Sequence, residues 1–304
     1  MKGVIDLHTH LATLPTWIQS LVKFRNQSHA LHNYLGWEYP VILNVAFYAP
    51  PYTSFNFLID MIDQLQQQIQ LHENIQVITK ASDLERKFDL GLLFHVESGR
   101  FITEPKVQIP VLHEKGVRGL IPLHYIDNQF GESCDDPLRR FGLKTKQQGL
   151  TDLAQQLIEV CHQHHWWLDV THSTDLCSEQ WLASAEYVMC SHVGIRDRVN
   201  RARNKSLQFF KQLQAKKGVW GLSPWLYTVG DDDNAYLEQI QLAIDQGLCE
   251  SVCIGTDFGT PIKTNQNSRD LKNIASQIQH KLANPEQILW NNAYSFFKRA
   301  LPQI

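Results

Sequence analysis

The stretch Val4-Ile5-Asp6-Leu7-His8-Thr9-His10-Leu11 decides between two parallel-sheet folds. Residues 4–7 read as a short strand, and the turn after it carries two histidines and no glycine. A doubly wound nucleotide-binding sheet wants glycines at that turn, where backbone must approach a phosphate. A barrel asks only that the strand deliver polar side chains at its carboxyl end. Working outward, seven more apolar runs read as strands, at 41–47, 90–96, 117–123, 167–170, 187–190, 219–222 and 251–254. Helical patterns lie between them at 57–71, 107–115, 150–164, 206–217, 235–246 and 270–282. In the first of these, Leu58, Ile62, Leu65, Ile69 and Leu71 recur at roughly helical spacing with Gln and Asp opposite. Pro285 opens a final helical segment, where proline is tolerated at the first position. Eight strand–helix units in a chain of 304 residues predict an α/β fold, a (β/α)8 TIM barrel, with residues 1–304 as one domain. The long loops at 24–40 and 124–150 are expected to build or cover a site on its top face.

Composition bounds the function. Hydrophobic residues are 43% and charged residues 19% of the chain, values of an ordinary globular protein. No apolar run reaches the ~18–20 residues that cross a bilayer. The N-terminus lacks the charged, apolar and small-residue regions of a secretory signal. A net charge of −3, with residues 196–205 as the basic cluster, gives no nucleic-acid footprint. Six cysteines (Cys134, Cys161, Cys177, Cys190, Cys249, Cys253) without a CxxC motif read as reduced thiols. The expectation is a cytoplasmic protein with no membrane or nucleic-acid partner. Aromatic stretches such as Trp166-Trp167 and residues 48–57 read as core or pocket lining, with a homodimer surface as the alternative.

Catalytic groups of a barrel sit where its strands end. Six of the eight predicted strands deliver a His, Glu or Asp just past the last apolar residue: His8 and His10, Glu97, His124, His172, His192 and Asp257. His8 and His10 are two apart, so in extended backbone both point to one side and can chelate one ion. Imidazole and carboxylate suit zinc and related divalent ions. Four histidines and Glu97 are too many for one open zinc site and enough for two ions bridged by a carboxylate, which would activate water and polarise a carbonyl. Singly, each residue has an ordinary reading: a buried histidine, a satisfied carboxylate, a helix cap at Asp257. Together at strand ends they point to a metal site. His29, His32, His72, His113, His162, His164, His165 and His280 read as surface or core residues.

The chain resembles the membrane (renal) dipeptidase family, peptidase family M19, among the amidohydrolase-type metal-dependent barrels. The likeness is carried by Asp6-Leu7-His8, Val96-Glu97-Ser98-Gly99, residues 116–124 with Asn128, and Gly149-Leu150-Thr151. It continues through residues 168–173, Ser191-His192, Arg203-Asn204, residues 254–259 and residues 288–293. It implies a metal-dependent hydrolase that cleaves a small amide, a dipeptide or similar molecule, with two divalent ions, zinc by family. Carried over, His8 and Glu97 hold one ion, and Glu97, His172 and His192 the other. Asp257 lies beside the first ion, positioning the nucleophilic water and passing its proton. His124 contacts the substrate carbonyl and stabilises the oxyanion formed when a bridging hydroxide attacks. Arg203 pairs with the substrate's terminal carboxylate.

The family's first-strand motif is histidine-x-aspartate, and here it is His8-Thr9-His10. His10 remains a candidate ligand, but the site is about one charge more positive, which bears on water pKa and metal preference. Two alternatives stay open at this level. One is another barrel metallohydrolase acting on a lactone, cyclic amide or phosphoester. The other is a non-catalytic ligand-binding relative. Arg203-Asn204, and Glu97 in place of a bridging lysine, favour the dipeptidase.

Overall fold

The structure, a computed structural model, describes residues 1–11, 31–50, 53–146, 148–260 and 262–303. Its strands are β1 (Val4–Thr9), β2 (Val41–Tyr48), β3 (Ile75–Val77), β4 (Leu90–Glu97), β5 (Val117–Ile121), β6 (Trp167–Asp169), β7 (Val188–Val193), β8 (Val219–Leu222) and β9 (Val252–Ile254). They pair in parallel in the order β2-β1-β9-β8-β7-β6-β5-β4-β3, and a further pairing of β2 with β4 closes a ring of eight. That ring is the predicted (β/α)8 barrel. The strand β3 stands outside it, pairing Ile75–Val77 with Leu90, Gly91 and Leu92, the stretch of the β4 edge below the start of β5. No sequence signal marked it, because three residues give no measurable period.

The helices α1 (Phe55–Ile69), α2 (Pro105–Glu114), α3 (Asp152–Gln163), α4 (Asp175–Ser184), α5 (Leu207–Ala215), α6 (Ala235–Asp245), α7 (Leu271–Lys281) and α8 (Asn292–Ala300) follow the strands. Several open on side-chain caps: Ser54, Thr151, Thr174, Ser206 and Asp270 each accept from a backbone N–H three residues on. Such caps are worth about 1 kcal/mol each. Pro285 begins a helical turn, as its sequence position predicts. The helix α4 was not expected. It buries Cys177, Ser178, Trp181 and Leu182, so its inner stripe mixes polar and apolar residues and shows no clear helical period.

Alternation within the strands sorts the side chains. On β2 and β4, Val41, Leu43, Val45 and Phe47, and Leu92, Phe94 and Val96, face outward to the helices, where Leu58, Met61, Ile62 and Leu65 of α1 join them. The other parity points into the barrel. At the bottom these inner residues are apolar: Ile42, Leu93, Trp167, Met189, Val219 and Cys253 cluster with Phe296 and Phe297 of α8, which plugs that end. The rings of Trp167 and Phe297 lie 5.1 Å apart. One step up, the same faces carry Asn44, His95, Asp169 and Ser191, all buried. Gly221 and Gly255 belong to this layer because the backbone passes too close for a Cβ; one on Gly255 would lie 1.6 Å from the Ser191 carbonyl oxygen.

The 124–150 loop folds over the top through ion pairs. Lys144 contacts Asp127 and Asp136, and Arg139 contacts Asp127 and Glu132. Of the 24–40 loop, residues 24–30, including His29, lie outside the described residues. Trp166 and Trp167 are core residues, 1% and 0% exposed. All six cysteines are free thiols. The basic cluster is not a surface field: Arg203 and Lys205 turn inward, while Arg196 pairs with Asp175 and Arg198 with Glu238. Among the described residues no helix is long and apolar enough to cross a membrane.

Candidate metal centre

The barrel brings every one of the sequence-predicted site residues to one place. His8 ends the inner face of β1, and His10 follows one turn of pleat later; their Nε2 atoms are 3.2 Å apart. Glu97 is the last residue of β4. His192 lies in β7, and His172 and Asp257 follow the ends of β6 and β9. The His172 and His192 Nε2 atoms are also 3.2 Å apart.

Glu97 stands between these two imidazole pairs. Its Oε2 is 3.3 Å from His10 Nε2, and its Oε1 is 3.7 Å from His8 Nε2. The same Oε1 lies 3.4 Å from His172, 4.0 Å from His192 and 3.3 Å from His124, all at Nε2. Asp257 Oδ1 closes the first pair at 3.6 Å from His10 and 3.9 Å from His8. These spacings are those of ligands around a cation. Two nitrogens each about 2.0–2.1 Å from a tetrahedral ion lie roughly 3.3–3.4 Å apart, close to both observed pairs. The donors are imidazole nitrogens and carboxylate oxygens, a set suited to zinc and neighbouring divalent ions. His8, His10 and Asp257, His8, Glu97 and His192, and Glu97, His124 and His172 each form a group compact enough to hold one. Chemically, the arrangement can hold divalent metal.

Electrostatics follow from burial and mutual charge. Burial alone would raise the Glu97 carboxyl, but His124 and His10 hold it well below the usual range. Burial pushes His8 and His192 well below the ordinary histidine value, and takes His124 to about 3, leaving these rings neutral and fit to ligate. At His10 the order reverses: burial opposes charge, yet Glu97 and Asp257 prevail and push it up to about 10. The backbone is strained here too. Ser98, Tyr125 and Asp257 have φ of 88°, 54° and 57°, a region costly for side chains other than glycine and common at functional sites.

Each ligand candidate has a different support. His172 Nδ1 donates to Asp135 Oδ2 at 2.7 Å, and Arg203 Nε donates to the same oxygen at 3.1 Å. His192 Nδ1 meets Ser191 Oγ at 2.8 Å, and His8 Nδ1 meets His95 Nε2 at 3.1 Å. Asp135 carries no marker in the sequence, since it lies mid-loop. It reaches His172 because Cys134 N donates to the His172 carbonyl at 2.8 Å. His95 could have been found, being two residues before Glu97 and so on its inward face. Arg203 is buried beyond expectation, 2% exposed, stacked over Trp225 and held by Asp135; its Nη1 faces Asp257 Oδ2 at 3.9 Å. Tyr125 and Tyr48 flank His124, with ring centroids 4.2 Å and 4.8 Å from it.

The sequence profile described as membrane dipeptidase (peptidase family M19) matches residues 40–301, beginning after His8 and His10. Among curated proteins no relative matches. Solved structures share the fold across the chain. A metallopeptidase from Rhodobacter sphaeroides, liganded with a phosphinate mimic of the dipeptide L-Ala-D-Ala, superposes with a TM-score of 0.79 at 16% identity, over 98% of this chain and 99% of its own. Dipeptidase AC, a family M19 metallopeptidase, gives 0.78 at 16% identity, over 98% of each chain. An amidohydrolase from Pseudomonas aeruginosa gives 0.77 at 14% identity, over 98% of this chain and 96% of its own. With its profile matched over most of its length, the chain belongs to the membrane dipeptidase family, peptidase family M19, and is a metal-dependent dipeptidase by that membership.

Proposed function

We propose that the protein hydrolyses dipeptides or similar small amides with two divalent cations, zinc being the ion the donor set suits best. The observation that carries this reading is the Glu97 carboxylate standing between two imidazole pairs, each with nitrogens 3.2 Å apart. His8, His10 and Glu97 would hold one ion, and Glu97, His172 and His192 the other. Bound there, the ions would supply carbonyl polarisation and a water acidified toward neutral pH.

The remaining work falls to protein groups. Asp257 Oδ1, 3.6 Å from His10 Nε2, is positioned to accept a proton from a nucleophilic water and return it to the leaving amine. His124, kept neutral by burial and flanked by Tyr48 and Tyr125, offers Nε2 as a donor to the oxygen that becomes negative. Arg203 would present Nη1 to the substrate's terminal carboxylate while Asp135 fixes the rest of its guanidinium. The neighbour liganded with a dipeptide mimic supports a substrate of this size.

The test is metal content and turnover in one series. Protein reloaded with zinc should hold about two equivalents and cleave dipeptides. Asp257→Asn should keep the metal and lose at least a hundredfold in kcat, within the span of general acid–base catalysis. One equivalent would refute the paired centre, and loaded protein that turns over no amide or ester would refute the activity.

A further inference from the structure

Three buried groups below the centre form a one-directional chain. Asn44, on the inner face of β2, donates through Nδ2 to the Leu7 carbonyl at 2.9 Å. Its Oδ1 therefore faces the other way, 3.0 Å from His95 Nδ1. An amide oxygen only accepts, so His95 carries its proton on Nδ1. The lone pair of that ring is then on Nε2, 3.1 Å from His8 Nδ1. His8 must donate across this contact, which puts its own lone pair on Nε2. That nitrogen is the one directed at His10, Glu97 and Asp257. Ser191 Oγ also approaches His8 Nδ1, at the longer distance of 3.4 Å. All three residues of the chain are 0% exposed, so water offers no substitute partner.

We propose that His95 is a positioning residue for the metal centre: it takes its polarity from Asn44 and holds His8 in the tautomer whose Nε2 is free to ligate. The inference rests on His8 being a metal ligand, as proposed above. A ligating histidine needs its second nitrogen held by an acceptor, which fixes ring orientation and tautomer. Here that acceptor is a neutral imidazole, whereas His172 uses a carboxylate and His192 a hydroxyl. The identity of Asn44 matters as much as that of His95, because its amide both donates to the Leu7 carbonyl and presents an acceptor to His95 Nδ1, which an apolar residue or a carboxylate cannot do together.

Two measurements test it. In apoprotein labelled with 15N-histidine, two-bond 1H–15N correlation should give both His8 and His95 as Nδ1–H tautomers, assigned by the resonances lost in His8→Ala and His95→Gln. An Nε2–H tautomer at either ring overturns the proposal, and this reading requires no folded leucine variant. The second is zinc affinity of apoprotein in competition with a chromophoric chelator. Glutamine at 95 can accept from His8 and donate to Asn44, so His95→Gln should bind within about threefold of the parent. His95→Leu should bind the same number of ions some 10–100-fold more weakly. Unchanged affinity in His95→Leu overturns the proposal, as does equal weakening in both variants, which would mean mere packing. Loss of a whole equivalent in both would make His95 a ligand itself and equally overturn it. Should His8→Ala bind zinc as the parent does, the fault lies with the metal-centre reading rather than with the relay alone.

Discussion

Asp135→Asn is the sharpest probe of the centre's support, because it keeps volume and removes one charge. The Asp135 carboxylate accepts from His172 Nδ1 at 2.7 Å and from Arg203 at 3.1 Å, and Arg203 is 2% exposed. Burial would raise that carboxyl, but Arg203 and His172 hold it well below the usual range. Removing one partner of a buried ion pair costs about 3–5 kcal/mol. Arg203 Nη1 retains Asp257 Oδ2 at 3.9 Å, so the lower end, about 3 kcal/mol, is expected. At roughly 2–4 °C per kcal/mol for a large domain, the apoprotein should melt about 6–12 °C lower. Both partners bond the same oxygen, so an asparagine with its amide oxygen turned there still accepts from each, and what it loses is the charge that holds them. Metal affinity should fall about 10–100-fold through the weakened His172. Calorimetric melting and a zinc competition titration on the same sample read both effects. A variant that melts within about 2 °C of the parent and binds zinc equally well would refute the reasoning.

Four further outcomes are expected. Glu97→Gln should lose most bound metal, since one carboxylate faces both imidazole pairs; elemental analysis showing full occupancy would remove Glu97 as the shared ligand. His10, pushed up to about 10 by Glu97 and Asp257 against burial, is protonated at neutral pH in metal-free protein and must give up that proton to ligate. Zinc uptake near pH 7 should then release about one proton from His10, and affinity should rise with pH; calorimetry in buffers of different ionisation enthalpy that finds no release would contradict this. His113 is lowered to about 4 by burial and by Arg118, and accepts from Trp166 Nε1 at 3.1 Å. Its folded pKa lies below its unfolded value, so its contribution is present above about pH 6.5 and lost as pH falls toward 4. Discounted for its partial exposure, the loss is about 1 kcal/mol; His113→Gln, compared with the parent by urea melts at pH 7 and 4.5, should lack this pH-dependent part. Gly255→Ala sets a methyl group against the Ser191 carbonyl and should cost at least about 2 kcal/mol; a variant as stable as the parent in urea would mean the strands can part there.

The strand ends could be read from the chain because alternation is a local property. Two residues apart in extended backbone means one face, so His8 with His10, and His95 with Glu97, are paired by spacing alone. The apolar-then-polar order along each inner face, as in Leu93, His95, Glu97 or Trp167, Asp169, likewise marks which end of the barrel holds the site. The helix α4 and strand β3 escaped for the same reason in reverse: one mixes serine into its buried stripe, and the other is too short to show a period. Everything that depends on contact between distant segments had to come from the fold. Closure of β2 on β4 places Asn44 beside His95, a pairing across 51 residues of sequence. The 124–150 loop brings Asp135 to His172 and to Arg203 Nε and Nη2, fixing a guanidinium that the motif alone offered without a partner. The strands carry the ligating atoms on a repeat set by backbone geometry, so their residues announce themselves. The groups that orient those atoms are chosen by proximity in three dimensions, and proximity leaves no periodic trace in one.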